Sequence, residues 1–143
     1  MRLLNAIGKE ETHVKRIIAL GLLISGTAYA QIGGLDFEAS GTDAYKAFAY
    51  GSLNNIRLGA IIETEHDFNR YGLQIAKIRP VMAGIDVYQQ IGFAYSKEQK
   101  FSLEHGIGVE LKDDHFSTGL LGNIRFENEH VLIYPSFKLG FNF

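Results

Sequence analysis

Apolar and polar residues alternate with a period of two through most of the chain after residue 33. The stretch 101–112, FSLEHGIGVELK, shows the pattern well, with an apolar face of Phe101, Leu103, Ile107, Val109 and Leu111. Only His105 interrupts that face, and the opposite face consists of serine, glycine and charged residues. Successive side chains of a β-strand point to opposite sides, so this alternation predicts a strand.

The same alternation divides the rest of the chain into strands separated by short polar breaks. The predicted strands are 34–40, 44–51, 56–65, 69–78, 81–96, 99–112, 115–127 and 130–143. Parallel strands need long crossover connections, so breaks this short allow only antiparallel neighbours. The sequence therefore predicts an all-β fold, an eight-stranded antiparallel up-and-down β-barrel. The orientation of the second strand stays open, because both of its faces carry aromatic and alanine residues.

The two faces of the predicted strands differ in size as well as in polarity. Large apolar residues fill one face, whereas the other combines glycine and serine with a few charged residues. Glycine weakens an exposed strand face, but small residues inside a narrow barrel leave room for long side chains. Apolar residues outside and polar residues inside are typical of a transmembrane β-barrel. Aromatic residues near the strand ends would form its interfacial girdles, namely Tyr71, Tyr95, Phe101, Phe116, Phe126, Phe141 and Phe143.

The charged residues of the inward face are predicted to form a network that fills the lumen. Buried charges are tolerated when they are paired, and the interior of an eight-stranded barrel is just filled by side chains. We therefore expect a plug and not a wide pore. Its predicted members are Glu38, Arg57, Glu63, Asp86, Glu104, Glu110, Arg125 and Lys138, with Asp36 beside them.

Two polar residues, Gln89 and His105, interrupt the face that is predicted to meet lipid. A turn that sets Tyr95 opposite Gln99 would also set Gln89 opposite His105. Directly opposed residues have Cβ atoms about 4.5–5.5 Å apart, close enough for a side-chain hydrogen bond. We expect Gln89 and a neutral His105 to be cross-strand partners on the outer face, with Gly122 flanking them. In the alternative, the two lie at different depths and each meets a headgroup or water.

The N-terminal region has the order of features of a secretory signal. Lys15 and Arg16 precede the apolar run 17–26, and Ala28-Tyr29-Ala30 fits the small-x-small cleavage rule. Residues 1–30 are therefore predicted to be a signal peptide, and residues 31–143 the single β-barrel domain. Translation from Val14 would leave a compact signal, while a buried helix is the alternative interpretation of this region.

Composition removes several classes of function. The net charge of -2 gives no basic surface for nucleic acid, and the absence of cysteine excludes disulfides and thiolate chemistry. The five histidines form no metal-binding motif, so neither a metal nor a cofactor is predicted. No stretch reaches the ~18 apolar residues of a transmembrane helix.

With these features the chain resembles the small eight-stranded outer-membrane β-barrels, of the opacity-protein and OmpX/OmpA-barrel kind. Such proteins end in phenylalanine with apolar or aromatic residues at alternating positions, a pattern matched by Phe137, Leu139, Phe141 and Phe143. Lys138 departs from it, since glycine is common there. The resemblance implies an outer-membrane location, contact with outer-membrane lipid, recognition of the last strand by the barrel-assembly machinery, a monomer, and a structural or envelope role. The short predicted loops are not those of an adhesin.

Two alternatives remain. A soluble periplasmic barrel that binds an apolar ligand would share the strand pattern. The chain also resembles the outer-membrane lipid A 3-O-deacylases in its His115-Phe116-Ser117 motif, with Glu127 or Glu129 downstream. However, the pattern turns His115 and Ser117 toward the lumen, whereas the site of that family opens toward the membrane. Thr118 also replaces the asparagine that the family carries, so the sequence favours a protein without enzymatic activity.

Overall fold

The computed structural model describes residues 33–41, 44–65, 68–97 and 100–143. These residues form a closed barrel in which each strand pairs antiparallel with its sequence neighbours and the last strand pairs with the first. The strands are β1 (Gly34–Ser40), β2 (Ala44–Leu53), β3 (Ile56–Glu65), β4 (Phe68–Met82), β5 (Ile85–Ser96), β6 (Lys100–Lys112), β7 (Phe116–Glu127) and β8 (His130–Asn142). The predicted topology is confirmed. The predicted signal peptide and the proposed start at Val14 lie outside the described residues.

Both ends of the described chain meet at one end of the barrel, here called the terminal end. The Phe143 amide donates to the Gly33 carbonyl oxygen at 3.1 Å, and the turns after β2, β4 and β6 lie at this end. Asn54 and Gly84 adopt positive φ values of 53° and 77° in two of these turns, as asparagine and glycine do most readily. The strands β1, β3, β5 and β7 end at the opposite end of the barrel, called the far end.

The barrel is polar inside and apolar outside. Glu110 and Lys138 are fully buried in the lumen, whereas Phe101 and Ile133 on the outer face are 73% and 79% exposed. The orientation of β2, which the sequence left open, follows the same division, because Lys46 is buried in the lumen. Apolar side chains fill the space between the charges and are Phe48, Tyr50, Ile61, Ala76, Ile78, Tyr88, Ala94 and Leu121. Among the described residues, no helix has the length and apolar character to cross a membrane.

Glycines on the inner face leave the space that the charged side chains occupy. A Cβ added at Gly140 would overlap Ser117 Oγ and Asp36 Oδ1, and one added at Gly106 would overlap Asn123 Oδ1. The packing therefore agrees with the prediction that glycine leaves room inside the barrel for longer side chains.

Candidate functional site: the charged lumen

Four charged residues form a balanced cluster near the terminal end, called the terminal cluster. Arg57 lies between two carboxylates, with Nη1 3.3 Å from Asp36 Oδ2 and Nη2 3.2 Å from Glu110 Oε1. Lys138 Nζ lies 3.4 Å from Asp36 Oδ2 and also donates to Glu110. Two cations thus meet two carboxylates from four different strands, which compensates much of the cost of burying them.

Aromatic rings complete the environment of these two cations. The Lys138 ammonium lies 3.8 Å from the centroid of the Tyr88 ring, and the Arg57 guanidinium carbon lies 4.7 Å from that of Tyr50. A desolvated cation over a ring face gains electrostatic stabilisation. The rings therefore add to the stabilisation that Asp36 and Glu110 give these two cations.

A larger cluster, the far-end cluster, fills the other half of the lumen. Arg125 Nη2 lies 2.8 Å from Glu104 Oε2 and 3.1 Å from Glu63 Oε2, and Nη1 lies 3.2 Å from Glu65 Oε2. Tyr134 donates to Glu104 and lies beneath the Arg125 guanidinium, 5.1 Å from its carbon. Its full membership is Glu38, Lys46, Glu63, Glu65, Arg70, Glu104, Arg125, Glu127 and Tyr134.

Side-chain amides connect the lumen between the clusters. Gln74 Nε2 donates to Gln90 Oε1 at 3.0 Å, and Gln90 Nε2 in turn contacts Glu38, Glu104 and Asn123 at 3.4 Å. The cavity among the far-end cluster is only about 10 Å³, no more than one water molecule requires. The arrangement can therefore brace the barrel, but it offers no continuous aqueous path on this side.

All eight residues predicted for the network are buried, but one of them lacks the predicted ion pair. Asp86 makes neither a hydrogen bond nor an ion pair with any residue in the described part of the chain, and this is a correction. The cause is the register, since Asp86 lies opposite Pro80 on β4 and Glu110 on β6. Arg57 and Lys138, the two cations of the terminal cluster, are engaged by Glu110 itself.

Five members of the far-end cluster were not predicted from the sequence, and they are Lys46, Glu65, Arg70, Glu127 and Tyr134. Lys46 Nζ lies 3.0 Å from Glu38 Oε1 and 2.9 Å from Glu104 Oε1. The position of Lys46 could have decided the orientation of β2, because a lysine is costly on a lipid-facing surface. That choice would have predicted its burial. Arg70 and Glu127 Oε2, 2.6 Å apart, lie near strand ends, where an alternating pattern does not distinguish the lumen from solvent.

Gln89 and His105 are hydrogen-bonded on the outer face, but the predicted register is wrong. Their Nε2 atoms lie 3.0 Å apart; since an amide nitrogen only donates, the ring nitrogen accepts. Gln89 lies opposite Ile107, and His105 lies opposite Ile91, so the contact is diagonal. The register of β6 against β5 is offset by two residues from the predicted one. On β7, Gly122 lies opposite Ile107 and leaves open space beside Gln89 and His105, as expected.

The residues of the hydrolase alternative are not brought together. His115 is exposed in the β6–β7 turn, and Ser117 is buried in the lumen, where its Oγ has no hydrogen-bond partner among the described residues. Glu127 lies ten residues further along β7, about 33 Å away at the spacing of a strand, and pairs with Arg70. Glu129 lies beyond it in the β7–β8 turn. A nucleophile needs its base and orienting carboxylate within hydrogen-bond reach.

The residues predicted as the assembly signal lie on the outer face of β8 or just beyond its end. Phe137 and Phe141 are 46% and 41% exposed, and Phe143 is 67% exposed. Phe141 packs against Phe37 and Phe116 with ring centroids 6.4 and 5.5 Å away, which forms part of an aromatic girdle at the terminal end. Tyr95 and Phe101, 5.3 Å apart, lie in the corresponding position at the far end.

The terminal end opens into a cavity of about 690 Å³, called the terminal vestibule. Arg57 and Asp86 lie at its inner wall, and Asp113 and Asp114 lie at its mouth. In the part of the chain that the structure describes, no group of three or more His, Cys, Asp or Glu residues is arranged to hold a metal ion. The vestibule is lined by Ser52, Asn54, Asn55, Arg57, Ile78, Pro80, Gly84, Asp86, Lys112, Asp113, Asp114, Asn142 and Phe143.

Three solved structures share this architecture. The crystal structure of the N-terminal β-barrel domain of Pseudomonas aeruginosa OprF matches with a TM-score of 0.60 and 17% identity, over 78% of this chain and 95% of that one. The backbone structure of the Yersinia pestis outer membrane protein Ail matches with a TM-score of 0.56 and 10% identity, over 80% and 100% of the two chains. The solution NMR structure of the de novo designed protein TMB2.3 matches with a TM-score of 0.62 and 13% identity, over 78% of this chain and 94% of that one.

No family model and no curated protein sequence matches the chain. At these identities the structural likeness shows the fold alone, which is that of the small eight-stranded outer-membrane barrels. The resemblance noted from the sequence is thereby confirmed at the level of architecture.

Proposed function

We propose that the chain is a small outer-membrane β-barrel with a structural role in the envelope and a lumen closed by its own charged side chains. The observation that supports this best is the inverted polarity, with buried Arg, Lys and Glu inside and exposed Phe, Ile and Leu outside. Apolar surface on this scale is unfavourable in water but matches a bilayer. The terminal end would face the periplasm, as in barrels with an even number of strands.

The soluble alternative requires the opposite arrangement. A barrel that carries an apolar ligand needs an apolar interior, yet the far-end and terminal clusters occupy most of this one. The architecture shared with OprF and Ail supports the proposal without identifying a ligand or substrate.

A matched pair of substitutions distinguishes the two environments. Leu120, 68% exposed near the middle of β7, would meet lipid in one case and water in the other. Leu120→Lys should destabilise a membrane barrel by about 2–4 kcal/mol and leave a soluble barrel nearly unchanged. The control is Glu129→Lys in the β7–β8 turn, which should be neutral in both. Stability can be measured by urea titration of the folded band on unheated gels.

Cell fractionation gives the direct test. The protein should sediment with the outer membrane, remain insoluble without detergent, and migrate differently on gels before and after heating. Recovery of folded monomer from the soluble periplasmic fraction would remove the proposal.

We also propose that β8 carries the signal read by the barrel-assembly machinery and that the barrel functions as a monomer. Phe143→Ala should lower the amount of assembled protein in cells while the refolded protein keeps its stability. Phe101→Ala, at the other girdle, is the control and should assemble normally. Equal assembly of both variants would contradict a signal at the C-terminal phenylalanine.

A further inference from the structure

The terminal vestibule has the size of a ligand site but an unusual lining. Its volume of about 690 Å³ lies within the ~300–1,000 Å³ of small-molecule pockets. Such pockets are usually mostly apolar, whereas this one is lined largely by amide and charged side chains. A ligand that fits must therefore bring polar or charged groups to meet them.

The inner wall of the vestibule holds a buried carboxylate that lacks a partner. Asp86 is 6% exposed as a residue, its carboxylate oxygens keep access to the vestibule, and it makes no hydrogen bond or ion pair within the described ranges. Its direct neighbour on β6 is Glu110, another carboxylate, and its neighbour on β4 is Pro80, which has no polar side chain. Like charges directly opposite each other on adjacent strands are destabilising. A cation bound from the vestibule would relieve this repulsion.

The protein's own cations do not fill that need. Arg57 and Lys138 are both engaged by Asp36 and Glu110. Apart from Arg57, the one cation in the described lining of the vestibule is Lys112, against three carboxylates, Asp86, Asp113 and Asp114. With Arg57 included, the described lining has two cations against three carboxylates, and this acidic excess disfavours an anionic ligand.

We propose that the terminal vestibule binds an aliphatic diamine. One ammonium group would pair with Asp86 at the inner wall, and the other with Asp113 or Asp114 at the mouth. The methylene chain between them would lie against Ile78 and Pro80, the apolar part of the wall. A metal ion fits less well, because no described cluster of acids or histidines is arranged to ligate one.

The test is a calorimetric titration of the detergent-solubilised protein with 1,4-diaminobutane. Asp86→Asn removes the inner carboxylate at constant shape, and we expect it to weaken binding at least tenfold. Glu129→Gln changes the net charge equally, but at the far end, and should bind like the unmodified protein. Butylamine, which has a single ammonium group, should bind about tenfold more weakly than the diamine.

Folding does not obscure this result. Asp86→Asn should unfold at the same or a higher temperature than the unmodified protein, because it removes an unpaired charge beside Glu110. Should that variant nevertheless fail to fold, a titration of the unmodified protein followed by the carboxyl ¹³C signal of Asp86 replaces it, with a shift expected on addition of diamine. Undiminished binding by Asp86→Asn, an unmoved Asp86 signal, or an equal effect of sodium chloride at the same ionic strength would overturn the proposal.

Discussion

Arg125 is the residue whose removal tests the far-end cluster most directly. Its side chain is 8% exposed and touches three carboxylates, those of Glu63, Glu65 and Glu104, at 2.8–3.2 Å. Arg125→Ala would leave this acidic group with only Lys46 and Arg70 as counter-charges. Removing one partner of a buried ion pair typically costs about 3–5 kcal/mol, mainly because the remaining charge stays buried and unpaired. We expect a loss of stability of that size.

The assay is urea unfolding in lipid vesicles, followed by the folded band on unheated gels. Arg79→Ala is the matched control, because Arg79 is exposed on the outer side of β4 near the terminal end; we expect it to change stability by less than about 1 kcal/mol. Combining Arg125→Ala with Glu104→Gln should recover part of the loss, since a neutral amide replaces one orphaned carboxylate. A loss below about 1 kcal/mol for Arg125→Ala, or no recovery in the double variant, would refute the view that charge pairing stabilises this lumen.

Three further predictions concern other parts of the barrel. Gly140→Ala should destabilise it by about 1–3 kcal/mol in the same assay, because the new methyl group overlaps Ser117 and Asp36; stability equal to that of the unmodified protein would contradict this. Reconstituted protein should show no steady porin-size conductance in planar bilayers, and large channels from the monomer would refute the plug. Changing either Gln89 or His105 alone to leucine should destabilise the barrel more than changing both, since a single change leaves one unpaired polar group in lipid; an additive double variant would argue against the pair.

Alternation and the short breaks were enough to predict the eight strands, their antiparallel order and the inward position of every charged residue in the predicted network. Lys46 was left open with the orientation of β2, and Glu65, Arg70 and Glu127 near strand ends were not assigned to the lumen.

Alternation did not give the register of β5 against β6, and the reason is geometric. A slip of one residue moves every side chain to the other face, whereas a slip of two leaves both faces unchanged. The pattern therefore fits the predicted pairing of Gln89 with His105 as well as the observed pairing with Ile107. The hydrogen bond persists because both side chains are long enough to reach diagonally.

Partners inside the lumen were harder to predict than burial. Lys46 and Glu104 are 58 residues apart in the sequence, and Lys138 and Asp36 are 102 residues apart. Each such pair depends on the registers of several strands and on the closure of the barrel, so an error in any one of them changes the partner. Asp86 shows the consequence, since its inward position was predicted and its lack of a cation was not.

The barrel closes where β1 pairs with β8, and part of the charged network crosses this seam. β1 has 7 residues against 13 in β8, and the two pair only from Gly34–Asn142 to Ala39–Phe137. Pro135 lies just beyond the last pair, and the hairpin register places it in a non-hydrogen-bonded position relative to β7. Its missing N–H is therefore not required by either neighbouring strand, which makes proline acceptable inside this strand.

A seam with few backbone bonds needs other contacts, and the lumen provides them. Lys138 of β8 lies 3.4 Å from Asp36 of β1, and Ser136 Oγ donates to Glu38 Oε2 at 3.3 Å. On the outer face, the Phe37 and Phe141 rings meet across the same seam. Buried charges contribute less to stability than apolar packing of equal volume, but their geometry is directional. A lysine that meets Asp36 and Glu110 together favours one register of β8 against β1, and we therefore expect the charges of the lumen to help specify how the barrel closes.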